Sequence, residues 1–371
     1  MTDSTTERPD LGKTTDPHEG VDPVDVLPET GGTDSSQAMV APAPGGSDFM
    51  TRLGDTGFFR IAGLAVVLLV IAIVGTVTAG DRFLDVNNFL TILKLSAVLG
   101  VVSVGMTFVI IGGGIDLSVG AVVALSSVWA TTVATQDMAR DSHWLLILLA
   151  AVAVGAVAGL INGVLIAYGK VVAFIATLAM LVGARALAEN ISDNRTQIVS
   201  DMPGFYDFFG AEPLGIPMTV WVFALVAVIG WVLLNRTTFG RRTFAVGGNP
   251  EAARLAGINV RRHTVLLYVL VGVCAGLAAV LLIARTTTGN SAHGELLELD
   301  AIAAVVIGGT LLAGGRGTIT GTVLGVLIFT TLTNVFTLNN RPPSEQDLLK
   351  GAVIVAAVLL QQWLASRKRT T

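Results

Sequence analysis

The chain has 371 residues, of which 52% are hydrophobic and only 13% are charged, and its mean hydropathy is +0.72. Because ordinary soluble domains carry about 25% charged residues, this composition excludes a typical soluble globular protein and indicates a polytopic helical membrane protein. The single cysteine, Cys274, excludes an internal disulfide and a cysteine-based metal site, and no metal is expected.

The first 48 residues differ from the rest of the chain. They hold ten acidic residues against two basic ones, Arg8 and Lys13, and much of the remainder is Pro, Gly, Ser and Thr. Such a segment cannot bury enough apolar surface to offset the entropy of ordering it. We therefore predict a disordered, acidic cytosolic tail over residues 1–48 and a transmembrane domain over residues 49–371. The start also lacks the basic and apolar regions of a signal peptide.

Apolar segments of roughly 17–25 residues are long enough to cross a bilayer as helices. A further segment, Ala301–Ala313, is too short for a certain span and is a candidate for a short or re-entrant helix. The prediction is an all-α polytopic membrane protein with about ten transmembrane helices, some short or re-entrant. The clear spans are Ile61–Thr78, Phe89–Ile111, Ala121–Thr135, Trp144–Ala167, Val171–Ala188, Met218–Leu234, Thr264–Ala284, Thr320–Leu338 and Leu349–Ala365.

The distribution of charge predicts the orientation. Cytosolic loops carry an excess of Lys and Arg, and the loop over residues 236–263 contains six arginines, while residues 367–369 are all basic. The loop over residues 189–217 has five acidic residues and one arginine. We therefore predict that the first two segments are cytosolic, that the third is external, and that both termini lie in the cytosol.

Two helices carry glycines at four-residue spacing, which lets another helix backbone approach closely. We predict packing within the chain for both rows, with contact to a second copy as the alternative. The rows are Gly155, Gly159, Gly163 and Gly317, Gly321, Gly325.

Polar residues inside apolar runs are candidates for structural or transport roles. Asp116, in "GGGIDLSVG", is costly at mid-membrane, by about 2.5–3.5 kcal/mol on insertion scales. It is predicted to cap the next helix through backbone N–H groups, and the alternative is a polar lining of a substrate path. Asn162 and Asn334 are predicted to form hydrogen bonds with neighbouring helices. The alternative is that they bind a hydroxyl-rich solute.

Two charged patterns lie near the predicted external face. Arg185 and Glu189 are four residues apart on one helix and can form an ion pair. The stretch "ELLELD", residues 295–300, is either an ordinary solvated loop or a docking edge.

The sequence offers no constellation for enzymatic chemistry. Gly12-Lys13-Thr14 lacks the glycine that a phosphate-binding loop requires five residues earlier, and residues 314–321 do not match G-x-G-x-x-G. The four histidines are scattered, with no H-E-x-x-H pattern, and G-x-S-x-G is absent. No nucleic-acid partner is expected.

The stretch "GGNPEAARLAGINV", residues 247–260, is polar between apolar runs. Asn249 is a favoured N-cap, Pro250 suits the first helical position, and Gly257 can end the helix in the left-handed conformation. These signals predict a two-turn helix over Pro250–Ala256. Its apolar face would hold Ala252, Leu255 and Ala256. A helix this short is marginal alone, so it rests either on the lipid surface or against a cytosolic partner.

Three long blocks resemble the signatures of ribose/xylose/arabinose-type permeases, the membrane subunits of bacterial ATP-binding-cassette sugar importers. They are "MTFVIIGGGIDLSVGAVVAL", "FAVGGNPEAARLAGINVRR" and "ELDAIAAVVIGGTLLAGGRGTITGTVLGVL", and "LLKGAVIVAAVLLQ" resembles the last helix of that family. The resemblance covers about residues 61–364.

The resemblance implies a permease domain over residues 49–371, located in the bacterial inner membrane. It also implies a second permease subunit, a cytosolic ATPase that uses ATP and Mg, and an external sugar-binding protein. No cofactor is then expected on this chain itself. The loop 236–263 would carry a coupling helix that docks in the ATPase through Gly247, Gly248, Asn249, Glu251, Arg254, Leu255 and Gly257. The candidate translocation path would contain Asp116, Ser118, Asn162, Thr177 and Asn334.

Some positions depart from the family pattern. Ala173 stands where the family usually has proline, and Ala179 and Ala186 stand where glycine is common, which leaves homodimer and heterodimer both open. The rival hypotheses are an ion-coupled secondary transporter of a small polar solute, which would need intramembrane carboxylates, and a membrane-embedded enzyme.

Overall fold

The computed structural model describes residues 57–352 together with Val355 and Leu359, with side chains described from Ile61 onward. The predicted tail over residues 1–48 lies outside the described residues, as does most of the predicted last span after residue 352.

The described chain is helical almost throughout. Thr237 alone separates the helices Met218–Arg236 and Thr238–Gly248, and Pro213–Gly215 forms a 3₁₀ turn before the first of them. The helices are α1 (Gly57–Ala79), α2 (Asp81–Leu84), α3 (Val86–Ile111), α4 (Val119–Ala130), α5 (Val133–Asp141), α6 (Leu145–Ala167), α7 (Ala173–Ser192), α8 (Pro203–Gly210), α9 (Met218–Arg236), α10 (Thr238–Gly248), α11 (Pro250–Leu255), α12 (Val260–Thr286), α13 (Leu297–Ile307) and α14 (Ile319–Leu338).

After α14, residues 343–352 are helical as well. Two short strands, β1 (Gln197–Ile198) and β2 (Thr288–Gly289), pair antiparallel, with Gln197 opposite Gly289. This pairing joins the loop after α7 to the end of α12.

Seven of the described helices are long and apolar enough to cross a membrane, and the count is eight if α4 and α5 form one bent span. The chain is therefore an all-α, multi-pass membrane protein, as predicted. The described part accounts for fewer than ten full spans for two reasons. The helix α13 has only 11 residues, about 16 Å at 1.5 Å per residue, and most of the predicted last span lies outside the described residues. The prediction of a short helix near Ala301–Ala313 is thus confirmed, although it begins at Leu297.

The predicted span Ala121–Thr135 is not one continuous helix. The helix α4 ends at Ala130, and α5 starts at Val133 after a bend of 57°. The cause lies in two consecutive threonines. Thr132 leaves the helical conformation, and its hydroxyl accepts a hydrogen bond from the backbone N–H of Thr135 at 3.4 Å, which starts a new helix.

Helices α3 and α12 form the centre of the helical body. In the most apolar 18-residue stretch of each helix, 89% of the residues of α3 and 72% of those of α12 are buried, whereas only 6% of those of α1 are buried. A helix that is hydrophobic on every side belongs in the interior of a protein or in lipid. The α3 and α12 helices lie in the interior of the protein, whereas most apolar side chains of α1 are exposed on the outside of the helical body.

Both predicted glycine rows pack within the chain, so that prediction is confirmed. Gly155 and Gly159 on α6 lie directly against the backbone of Gly272 and Tyr268 on α12, and a Cβ at either glycine would overlap a carbonyl oxygen. In the second row, Gly321 on α14 faces the carbonyl of Gly308 in the same way. These contacts bring whole backbones together and leave no room for methyl groups.

Candidate functional site

The short helix α11 is specified by local signals that act as predicted. The side chain of Asn249 accepts hydrogen bonds from the backbone N–H groups of Glu251 and Ala252, both at 3.0 Å. Pro250 occupies the first helical position, and Gly257 has a φ of +82° just after the helix. The helix ends at Leu255, one residue earlier than predicted, because Ala256 serves as the C-cap.

The buried face of α11 differs from the prediction. Ala253 is the buried residue of this helix, whereas Leu255 is 84% exposed, and Ala252 and Ala256 are exposed as well. The three residues predicted to form a face for contact therefore project outward. A large apolar side chain on a polar, capped helix is a surface that suits contact with another molecule.

The charges on α11 form an exposed pair. Arg254 donates to the carboxylate of Glu251 at 2.8 and 3.1 Å. Exposed pairs of this kind contribute only ~0–1 kcal/mol. The pair therefore orders the two side chains on the surface of α11 more than it stabilises the helix.

Asp116, Ser118 and Asn162 are joined in one buried hydrogen-bonded chain. The amide of Asn162 donates to the Ser118 hydroxyl at 2.9 Å, and that hydroxyl donates to the carboxylate of Asp116 at 2.6 Å. The exposed fractions are 2% for Asp116 and 0% for the other two side chains. In the described part of the chain, the Asn162 carbonyl oxygen Oδ1 has no hydrogen-bond partner.

Asp116 does not cap helix α4 itself, contrary to the prediction. Its carboxylate accepts the backbone N–H of Ser118 at 2.8 Å, but helix α4 begins at Val119 and Ser118 is its N-cap residue. Asp116 thus orients the residue that starts the helix rather than capping the helix itself. Tyr268, on α12, holds the same loop by donating from its hydroxyl to the carbonyl of Ile115 at 3.3 Å.

The other two candidate path residues are bonded elsewhere. Thr177 is buried, and its hydroxyl donates to the carbonyl of Ala173 in its own helix at 2.9 Å. Asn334 exchanges hydrogen bonds with Asn88 at 2.8 and 3.2 Å, which confirms its predicted role between helices. The five candidates therefore separate into one connected chain of three and two isolated residues.

The predicted Arg185–Glu189 ion pair is wrong. Arg185 instead donates to the backbone carbonyls of Ser291 and His293, in the loop after β2. Glu189 is half-buried and remains near enough to act on Arg185 electrostatically, but it forms no ion pair with it. The bonds of Arg185 tie α7 to the loop between α12 and α13.

His293 is a residue of this loop that sequence reasoning did not single out. Its Nδ1 lies 2.8 Å from the hydroxyl of Ser127. Burial and then the positive charges of Arg285 and Arg185 lower the pKa of His293 to about 4, so the ring is neutral at pH 7. No motif surrounds His293, and its partners are distant in sequence, so only the fold could reveal it.

The stretch 295–300 is not an ordinary solvated loop. Glu298 is 8% exposed within α13, and its Oε2 has no partner among the described residues. Asp300 pairs with Lys350 at 3.2 Å. The acidic stretch thus begins a helix and ties it to the segment over residues 343–352.

The fold and these sites define a class: a multi-pass helical membrane protein that carries a capped, outward-facing helix between two spans and a buried polar chain within the helical body. The comparisons identify the family. Residues 88–358 match the model of the family described as "branched-chain amino acid transport system / permease component". The chain belongs to this family.

Curated relatives match over most of the chain. The ribose import permease protein RbsC of Bacillus subtilis (strain 168) is 44% identical over 301 residues, which cover 81% of this chain and 91% of the relative. RbsC of Escherichia coli (strain K12) is 40% identical over 80% of this chain and 92% of its own length. The L-arabinose ABC transporter permease protein AraH of Azospirillum brasilense is 36% identical over 90% and 95%.

Proposed function

We propose that this chain is the transmembrane permease subunit of an ATP-binding-cassette importer in the bacterial cytoplasmic membrane. It translocates a monosaccharide or related polyol that an external binding protein delivers, and a cytosolic ATPase drives the cycle with ATP and Mg. The relatives named for ribose and L-arabinose import support this substrate class. The functional unit contains two permease subunits, identical or different.

The observation that carries the proposal is the exposed surface of α11. Six residues cannot form a stable helix in water without support, and here caps at both ends and the buried Ala253 supply it. The result is a short, well-defined helix with Leu255 at its outer surface, beside the Glu251–Arg254 ion pair. Such a helix suits an apolar pocket with a polar rim on a cytosolic ATPase. The arginines of the loop 236–263 favour a cytosolic location for this helix.

The buried chain of Asp116, Ser118 and Asn162 supports transport of a hydroxyl-rich solute. A buried carbonyl without a donor costs free energy, and a sugar hydroxyl would satisfy the free Oδ1 of Asn162. We propose that this chain borders the translocation path. Thr177 and Asn334 have partners within the helical body and are secondary candidates.

The burial of Asp116 also favours a second function, that of an ion-coupled transporter. An acid inside a helical membrane body is a suitable group for binding a coupling proton or cation. The two functions differ in their source of energy. This difference can be measured directly.

The test is uptake into liposomes that contain the protein together with its ATPase and its external binding protein. The proposal predicts uptake that requires internal ATP, stops with vanadate and continues with a protonophore. Uptake that collapses with a protonophore while ATP stays constant would establish the ion-coupled transporter instead. Chemical turnover of the solute without its transport would establish an enzyme.

A further inference from the structure

Three glycine-rich turns that are far apart in sequence meet at one point of the fold. The first, Gly112–Gly114, ends α3, and the second, Gly247–Gly248, ends α10. The third is Gly314–Gly315, between α13 and α14. We call this meeting point the glycine junction.

The contacts within the glycine junction are made by backbone atoms. The N–H of Gly315 donates to the carbonyl of Ile111, the last residue of α3, at 2.8 Å. A Cβ at Gly247 would overlap that same carbonyl oxygen and would lie 2.8 Å from the nitrogen of Gly315. A Cβ at Gly314 would lie 2.8 Å from the carbonyl oxygen of Gly247 and 3.0 Å from the Cα of Gly113. The three turns are therefore in direct contact, with no side chain between them.

The position of the glycine junction relates the two candidate sites. Gly248 immediately precedes Asn249, the N-cap of α11, and Gly114 lies two residues before Asp116. A displacement of α11 that passes through Gly248 would press Gly247 against Ile111 and Gly315. Because backbone atoms in contact have no rotamers to absorb such a shift, the shift reaches the loop that carries Asp116.

Backbone conformation explains why other residues do not suit these positions. Gly113 and Gly314 have φ values of +85° and +84°, a region that residues with a Cβ adopt only under strain. Gly247 has an ordinary φ, and its requirement is close approach alone. The adjacent Gly248 has neither constraint, since a Cβ there would meet nothing within 4 Å.

We propose that Gly247, Gly314 and Gly315 are positioning residues that transmit movement of α11 to the buried chain of Asp116, Ser118 and Asn162. This inference rests on the proposed function, since it needs a partner that moves α11. It goes beyond that function because it assigns the transmission to one backbone contact rather than to side chains of α11 or to the spans in general.

The test compares Gly247→Ala with its matched control Gly63→Ala, a helical glycine of α1 where a Cβ would meet nothing within 4 Å. Each variant is reconstituted in lipid with the ATPase and the binding protein. Thermal unfolding, ATPase affinity, basal hydrolysis and hydrolysis stimulated by loaded binding protein are measured for each. A Cβ at Gly247 would face Ile111 and Gly315 inside the fold rather than the outer surface of α11, so Gly247→Ala should still bind the ATPase. Its stimulation should fall by about tenfold or more, a size typical of coupling between two sites. Gly63→Ala should match the unsubstituted protein in every measurement.

A second measurement keeps the test decisive if Gly247→Ala does not fold. In the unsubstituted protein, binding of the ATPase should change the hydrogen exchange of residues 112–117 and 313–317 and leave residues 203–210 unchanged. The inference is overturned if binding of the ATPase leaves hydrogen exchange at both glycine turns unchanged. It is also overturned if a folded Gly247→Ala shows normal stimulation of hydrolysis by loaded binding protein. A third variant, Leu255→Asp, distinguishes failure of the proposed function from failure of the glycine junction. If Leu255→Asp is also stimulated normally, the proposed function fails, whereas if only Leu255→Asp is uncoupled, the glycine junction alone fails.

Discussion

Helix α11 and the buried chain at Asp116 are both polar features of an apolar protein, but they are built in opposite ways. The α11 helix is held by neighbours in sequence, chiefly Asn249 and Gly257, and it presents Leu255 to the outside. The buried chain joins Asp116 to Asn162, which lies on another helix, and it is closed to solvent. A surface for binding a partner can be formed by residues close in sequence. A polar group inside the helical body depends on the fold to provide its hydrogen-bond partners.

The largest effect should follow from Asp116→Leu. Leucine removes the acceptor of both the Ser118 hydroxyl and the Ser118 N–H, and each unsatisfied buried group costs ~1–3 kcal/mol. We expect poor yield of folded protein and a lower unfolding temperature in lipid. Asp116→Asn keeps an acceptor oxygen, so it should fold nearly normally but transport more slowly. Full transport by the leucine variant would contradict both a structural and a transport role.

A smaller and purely local effect is expected from Asn249→Ala. Loss of an N-cap costs about 0.5–2 kcal/mol, and here the cost falls on α11 alone because its other contacts are few. We expect normal insertion and unfolding temperature, with faster hydrogen exchange in residues 250–256 and weaker ATPase binding. Asn249→Ser, which retains a capping oxygen, is the matched control. If the alanine variant lowers global stability as much as Asp116→Leu does, the contrast between the two regions is wrong.

Glu251→Arg should barely change stability. It loses an exposed pair worth ~0–1 kcal/mol and a favourable helix-dipole interaction of about 0.3–1 kcal/mol. It also places a positive charge on the surface proposed to meet the ATPase. Stimulated hydrolysis should fall while expression stays normal, as measured in reconstituted samples. Arg195→Glu, a charge reversal in the loop predicted to be external, should leave the ATPase response intact.

At neutral pH the smallest effect is that of His293, which influences stability only in acid. The pKa of His293 in the folded protein is about 4, below its ordinary value of 6.5, so between these values the unfolded chain binds more protons. Stability should therefore be full above pH 6.5 and decline as the pH falls toward 4. His293→Gln cannot be protonated and should show a shallower decline in thermal unfolding. Identical pH profiles for the two proteins would remove His293 from the account.

The sequence predicted the parts of the fold that depend on neighbouring residues. The span Trp144–Ala167 matches α6 to within one residue, and the caps of α11 act as expected. The predictions failed where a distant partner competed with a local one. Arg185 bonds carbonyls more than 100 positions away rather than Glu189, and the burial of Glu298 depends on packing that no local pattern encodes. The connection between Asp116 and Asn162 was also invisible, although both residues were singled out.

The most direct test of the central claim is the affinity of the ATPase for the permease in lipid nanodiscs, with Leu255→Asp compared with Leu214→Asp. The two leucines are 84% and 88% exposed, and the same substitution alters each, but Leu214 lies in the loop predicted to be external. We predict that Leu255→Asp weakens binding of the ATPase by about 2 kcal/mol or more, as at an interface hot spot. Leu214→Asp should bind the ATPase normally. Equal affinity for both variants and the unsubstituted protein would mean that α11 does not dock the ATPase.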